Sequence, residues 1–266
     1  MDNLRDLVMR DEFDMALKLA RTLLPKDNPD RIRIENLAGH TASLEAYSQY
    51  YKGRAVAMCP DERVLSAHLQ IPRFTPTHQM INYYQKKNIL DLGCADGWGL
   101  LNLCVTLPEI TGVGVDVHPL NTAFAENRAR LLKAPLRFFT SSIEEFSIDE
   151  TFDAILLMEV LEHVLDPVKC FQVAVKHLAL YGFICVSVPL SPPEHTTEED
   201  AALHLRLFTK ESLEKIGASV GLGWAIYQET QMTGDERTLT MIFSRFPDRN
   251  ISPESSTTLL GTEKTE

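Results

Sequence analysis

Between Asn88 and Ser244 the apolar residues follow two rhythms that alternate along the chain. Short, nearly continuous apolar runs, "NILDL", "TGVGVDV", "APLRFF", "FDAILLM" and "GFICVSVPL", have the length of strands. Between them lie longer segments with helical spacing: "WGLLNLCVTL", "PLNTAFAENRARLL" with Pro119 in its first turn, and "VKCFQVAVKHL". Strands that are apolar at nearly every position need cover on both faces. The alternation therefore predicts a parallel sheet between two helical layers, a doubly wound α/β domain. After it, "TKESLEKIGASVGL" reads as a helix, and "WAIYQET" and "TLTMIFSR" as two strands around the turn "MTGDER". An antiparallel hairpin at the end of a parallel sheet departs from the usual dinucleotide fold.

Upstream, the pattern is helical only. Ala16, Leu17, Ala20, Leu23 and Leu24 follow Phe13 at helical spacing, with Asp11 placed to cap the start and Pro25 at the end. "KDNPDR" is a turn, and further helices are predicted over 41–51, 61–69 and 77–84. No segment repeats. Residues 1–85 thus read as an all-helical region covering the substrate side, 86–247 as the α/β domain, and 248–266 as a polar, disordered tail.

Composition narrows the partners. A formal net charge of −11 over 266 residues works against nucleic-acid backbones and anionic membranes, which call for clustered Lys and Arg. A small-molecule or glycan partner fits better. The five cysteines are odd in number, form no CxxC pair and sit mostly in apolar segments, as in a reducing cytosol. The N-terminus carries acids where a signal peptide needs positive charge, and no window reaches the ~20 apolar residues of a membrane span. A cytoplasmic location is expected.

The chemistry concentrates where the first strand meets the first helix, in "NILDLGCADGWG". Three glycines in seven residues after a strand allow positive φ and bring backbone against a ligand. Asp116 closes the second strand 23 positions after Gly93, where doubly wound folds place a ribose-binding acid. Asp91 and Asp96 beside the loop would repel a pyrophosphate but suit a cofactor with a sulfonium and an amino group. Through "ILDLGCADGWG", "GVDVHP" and "FDAILLMEVLEHVLDP", in this order and spacing, residues 86–245 resemble the class I S-adenosylmethionine-dependent methyltransferases. The resemblance implies a Rossmann-like sheet with a final antiparallel strand inserted, and S-adenosylmethionine as cofactor. It implies that Asp91 lies in the cofactor site, that Gly93, Cys94, Ala95 and Gly97 lie under the methionine part, and that Asp116 holds both ribose hydroxyls. Val117 and His118 would flank the adenine, as would Ser142 and Ile143, and Met158 would end the fourth strand beside the site. Two positions depart from the family pattern: Ala95 replaces a frequent glycine, and Ser142 a usual acid.

"MEVLEHVLDP" carries the remaining candidates. If the chain turns helical after Met158, then Glu159, Glu162, His163 and Asp166 share one face. Similar Glu-x-x-Glu-His stretches occur in small-RNA 2′-O-methyltransferases and in ubiquinone-pathway O-methyltransferases. The resemblance therefore implies a divalent metal on Glu159, Glu162, His163 and a later histidine, His204 or alternatively His195. The other reading makes His163 a general base without metal. The loop "SPPEHTTEEDAALHLR" is long enough to act as a lid. The expected activity is methyl transfer to a hydroxyl of a small molecule or glycan. A catalytically silent cofactor-binding module and a metal-dependent RNA 2′-O-methyltransferase remain the alternatives. A nicotinamide oxidoreductase fits less well, because "GCADGWG" lacks the GxGxxG spacing. A nucleic-acid adenine methyltransferase also fits less well, because "SPPE" follows the fifth strand and lacks an aromatic residue.

Overall fold

The computed structural model describes residues 21–23, 25–26, 31, 74–190, 206–231 and 237–246. Its elements are α1 (Thr75–Tyr83), β1 (Asn88–Leu92), α2 (Trp98–Thr106), β2 (Thr111–Asp116), α3 (Pro119–Leu132), β3 (Leu136–Thr140) and β4 (Phe152–Met158). They are followed by α4 (Pro167–His177), β5 (Leu178–Pro189), α5 (Lys210–Ser219), β6 (Gly223–Gln231) and β7 (Arg237–Ser244). Of the expected helical region 1–85, only α1 and a helical piece at 21–23 fall among the described residues. The expected tail and most of the 191–206 loop lie outside them.

The seven strands form one sheet in the order β3-β2-β1-β4-β5-β7-β6. β1 runs parallel to β2 and β4, β2 to β3, and β4 to β5. β7 is antiparallel to both β5 and β6, so the final strand inserts between them as expected.

The period-two alternation of each strand divides the core into two layers. Leu90, Leu92, Ile155 and Leu157 face α4 and α5, where Phe171 and Leu213 are fully buried. Ile89, Ala154 and Leu156 face the other way, against Met80, Leu100 and Ala125 of α1, α2 and α3. Each fully buried Leu or Phe contributes about 1.5–3 kcal/mol, which makes the sheet a stiff platform for the loops at its carboxyl edge. α4 starts where Asp166 accepts from the Lys169 amide at 2.9 Å, with Pro167 at the first helical position. α5 starts with a reciprocal capping box between Thr209 and Ser212. Cys94, Cys104, Cys170 and Cys185 are free thiols. No helix among the described residues is long and apolar enough to cross a membrane.

Candidate functional site

Parallel register brings the carboxyl ends of β1, β2, β3 and β4 side by side, and the candidate residues gather there. Leu92 pairs with Val115, and Asp116 with Thr140. Beyond Leu92 the chain turns back under β2. The Gly93 and Cys94 amides both donate to the Val115 carbonyl, at 2.8 and 2.9 Å. Gly93 and Gly97 have φ of +86° and +80°. A Cβ on Gly93 would overlap Val160, and one on Gly97 would come within 2.8 Å of Ala125. Ala95 is also left-handed, at φ +47°. An alanine there costs on the order of 1 kcal/mol, and its amide is held by Asp116 Oδ2 at 3.0 Å. The position where the family often has glycine therefore needs glycine-like geometry, which Asp116 supports.

Asp116 is tied on both oxygens. Oδ1 accepts from the His118 amide at 2.8 Å and from Asn121 Nδ2 at 3.0 Å, while Oδ2 accepts from Ala95. A carboxylate offers roughly four acceptor positions, so these bonds leave about one, on Oδ2. That capacity suits one ribose hydroxyl; direct contact with two requires an internal donor to let go. Burial raises the Asp116 pKa, partly offset by the hydrogen bonds from His118, Asn121 and Ala95.

Asp91, on β1 beneath the loop, is 5 % exposed. Burial, and then the nearby Asp116 charge, push its pKa up to about 7, with no hydrogen bond or cation among the offsetting causes. The Cys94 thiol is pushed well above its ordinary value, first by burial and then by Asp91, Asp116 and Asp96, so it stays neutral. Val117 is half exposed just past β2, while Ile143 is buried after β3 beside the partly buried Ser142. Met158 ends β4, and its sulfur accepts from Thr77 Oγ1 at 3.6 Å.

The stretch after Met158 is not the expected helix. Glu159 is left-handed at φ +55°, a single turn spans 161–163, and regular helix begins only at Pro167. Packing explains this. Val160 fills the space left open at Gly93, and the Glu159 amide donates to Ser187 on β5, to its carbonyl at 3.0 Å and its hydroxyl at 3.1 Å. Glu159, Glu162, His163 and Asp166 therefore do not share a helix face, and Asp166 is used as the α4 cap.

Glu162 is almost wholly buried, with Oε1 3.6 Å from His163 Nε2. Among the described residues, no group of three or more His, Cys, Asp or Glu side chains is placed to hold a metal ion. His204 and His195 lie outside the described residues. The described donors do not fit the expected metal set. Two further histidines are engaged elsewhere, His78 with Thr106 Oγ1 at 3.2 Å and His177 with the Glu150 carbonyl at 3.0 Å.

Two residues of the site escaped the sequence reading, and both lie on the buried face of α3. Asn121 orients Asp116. Arg128, 4 % exposed, donates from Nη1 to the Asp96 carbonyl at 2.8 Å and pairs with Asp96 Oδ2 at 2.9 Å. Its guanidinium carbon lies 4.9 Å from the Trp98 ring centroid. The signal was available: Asn121, Ala125 and Arg128 recur at i, i+4 and i+7, which puts an arginine in a buried stripe. Asp96 is thus neutralised from within the fold, whereas Asp91 has no such cation beside it among the described residues.

Residues 84–234 match the family model described as a methyltransferase domain. The Nitrobacter winogradskyi protein named ubiquinone biosynthesis O-methyltransferase is 29 % identical over 153 residues, 55 % of each chain. The mitochondrial protein of that name from Schizosaccharomyces pombe is 35 % identical over 89 residues, 32 % of each chain. The chain spans about half the length, or less, of the curated relatives it matches. Among solved structures, an S-adenosylmethionine-dependent methyltransferase from Clostridium acetobutylicum is 16 % identical with a TM-score of 0.54, covering 76 % of this chain and 98 % of the other. The plantazolicin methyltransferase BpumL, solved with a pentazolic desmethylPZN analog and SAH, is 14 % identical with a TM-score of 0.59, covering 82 % of this chain and 100 % of the other. At these identities the structural likeness is one of fold.

Proposed function

We propose that this chain, which belongs to the methyltransferase domain family, transfers the methyl group of S-adenosylmethionine to an oxygen of a small-molecule acceptor. The observation that carries the reading is a buried carboxylate, Asp91, without a counter-ion among the described residues, beneath a left-handed glycine loop whose far side is held by Asp116. A nucleoside with a positively charged amino-acid tail would complement this arrangement: Asp91 would hold its amino group and Asp116 Oδ2 a ribose hydroxyl. An anionic dinucleotide would not. The names of the relatives favour oxygen over nitrogen as the acceptor atom.

When bound, the cofactor supplies a methyl group activated on a sulfonium. The chain's own residues align and desolvate. Gly93 to Gly97 present backbone to the methionine portion, Val117 and Ile143 give apolar surface for the adenine, and Met158 closes the floor. His163 stands after β4 as the general base that takes the acceptor proton. The buried Glu162 carboxylate beside it favours the imidazolium formed in that step.

The test is incubation of the full chain with methyl-labelled S-adenosylmethionine and panels of phenolic, catecholic, sugar and RNA hydroxyls. Label on a small-molecule oxygen, with stoichiometric S-adenosylhomocysteine, is expected. Transfer to RNA alone would overturn the acceptor class. Failure to bind S-adenosylhomocysteine at all would overturn the site.

A further inference from the structure

We infer that Arg128 is a positioning residue for the cofactor loop, an inference that rests on the cofactor reading of that loop. It lies on α3, away from the loop in sequence, and touches none of the positions assigned to the cofactor. Its contacts fall on the segment that must keep an unusual backbone path. One guanidinium nitrogen meets both the backbone carbonyl and the carboxylate of Asp96, and the Trp98 ring lies against the same guanidinium.

Asp96 sits between two left-handed residues, Ala95 at φ +47° and Gly97 at φ +80°. Strained backbone persists only where its surroundings over-determine it. Here the determination comes from both flanks. On the β2 side, Asp116 holds the Ala95 amide at 3.0 Å. On the α3 side, Arg128 holds the Asp96 carbonyl at 2.8 Å. Ala95 cannot relax without breaking one bond, and Asp96 cannot turn over without breaking the other.

Electrostatics gives Arg128 a second effect on the same loop. Asp91, Asp96 and Asp116 all raise the Cys94 thiol, so three carboxylates crowd one short segment. Arg128 is the cation that neutralises one of them directly, with both partners largely shielded from water. A buried arginine of this kind holds its geometry, because the planar guanidinium bonds and stacks at once. The loop is thereby fixed before the cofactor arrives, so binding does not have to order it.

The test uses the full chain with S-adenosylhomocysteine as probe and three proteins: wild type, Arg128→Met, and the double variant Arg128→Met with Asp96→Asn. The double variant removes the Asp96 charge that the single variant would leave without its arginine, so it stays folded if that stranded charge alone unfolds the single variant. Both variants are expected to bind S-adenosylhomocysteine at least tenfold more weakly than wild type by calorimetry. Amide hydrogen exchange is expected to accelerate at residues 95–97 while β1 and β4 keep wild-type protection. Wild-type affinity in the double variant overturns the inference, as does exchange that rises evenly across the sheet, which would mark Arg128 as general scaffolding. A wild-type chain that binds no S-adenosylhomocysteine removes the cofactor reading and this inference with it. A wild type that binds, beside a double variant that binds equally well, removes only the role of Arg128.

Discussion

Replacing Asp91 with Asn should make the protein more stable and a worse cofactor binder, and the two effects should separate with pH. In the folded chain the Asp91 pKa is pushed up to about 7 from an ordinary 3.8, by burial and then by Asp116. Between these values the native state keeps a proton that the unfolded state has lost, so stability falls as pH rises. The full penalty is present above pH 7. A separation of roughly three units at 1.36 kcal/mol each puts it at about 4 kcal/mol, an upper bound that relaxation and water entry reduce. Asn has nearly the same shape and no charge. Asp91→Asn is therefore expected to gain about 2–4 kcal/mol at pH 8 in urea unfolding and almost nothing at pH 4, where the native Asp91 is already neutral. On the proposed reading, the same variant also gives up the charge that would face the cofactor amino group. Its affinity for S-adenosylhomocysteine at pH 8 should fall at least tenfold, and wild-type affinity should itself decline below pH 7. Equal stability of variant and wild type at pH 8, or the same gain at both pH values, would refute the reasoning.

Asp116→Ala should weaken S-adenosylhomocysteine binding by about 1–3 kcal/mol in calorimetry, because it removes the proposed ribose acceptor and frees the Ala95 amide. Unchanged affinity in a folded variant would exclude Asp116 from the site. Gly93→Ala should cost about 1–3 kcal/mol in thermal unfolding, since φ is +86° and the new methyl meets Val160. His163→Gln should slow turnover while leaving S-adenosylhomocysteine affinity unchanged, and EDTA should leave wild-type turnover intact. Abolition by chelator with recovery on adding a divalent ion would instead place a metal among Glu159, Glu162, His163 and His204.

The sheet was legible because each strand answers to a local rule. "NILDL" became β1 at Asn88–Leu92 and "FDAILLM" became β4 at Phe152–Met158, since strands covered on both faces are apolar throughout. The loop glycines and Asp116 were legible for the same reason, as residue types whose geometry or charge has few other uses at those positions. "MEVLEHVLDP" was not. Its Glu, Leu and His residues allow a helix, and what overrides that preference is distant in sequence: the space at Gly93 that takes Val160, and Ser187 on β5 that takes the Glu159 amide. Asp166, expected on a shared helix face, instead caps α4, with Pro167 at the first helical position. Arg128 and Asn121 were less legible because a polar residue in a helix's buried stripe is recognised only once its partners, Asp96 and Asp116 on other elements, are in place.

The insertion of β7 between β5 and β6 sets an order on assembly during synthesis. Every group assigned to the cofactor lies between Asp91 and Met158, on strands that pair among themselves, so a nascent chain can build the binding edge long before residue 237 leaves the ribosome. Until then the β5 backbone from Phe183 to Pro189 has an open flank, and β6, whose partner is β7, has nothing to lie against. An open flank of buried, apolar strand is a template for pairing with another chain. A chain truncated after Gln231 thus has its β1–β4 edge paired and an adhesive opposite side. A chain leaves that state when β7 slides into the gap.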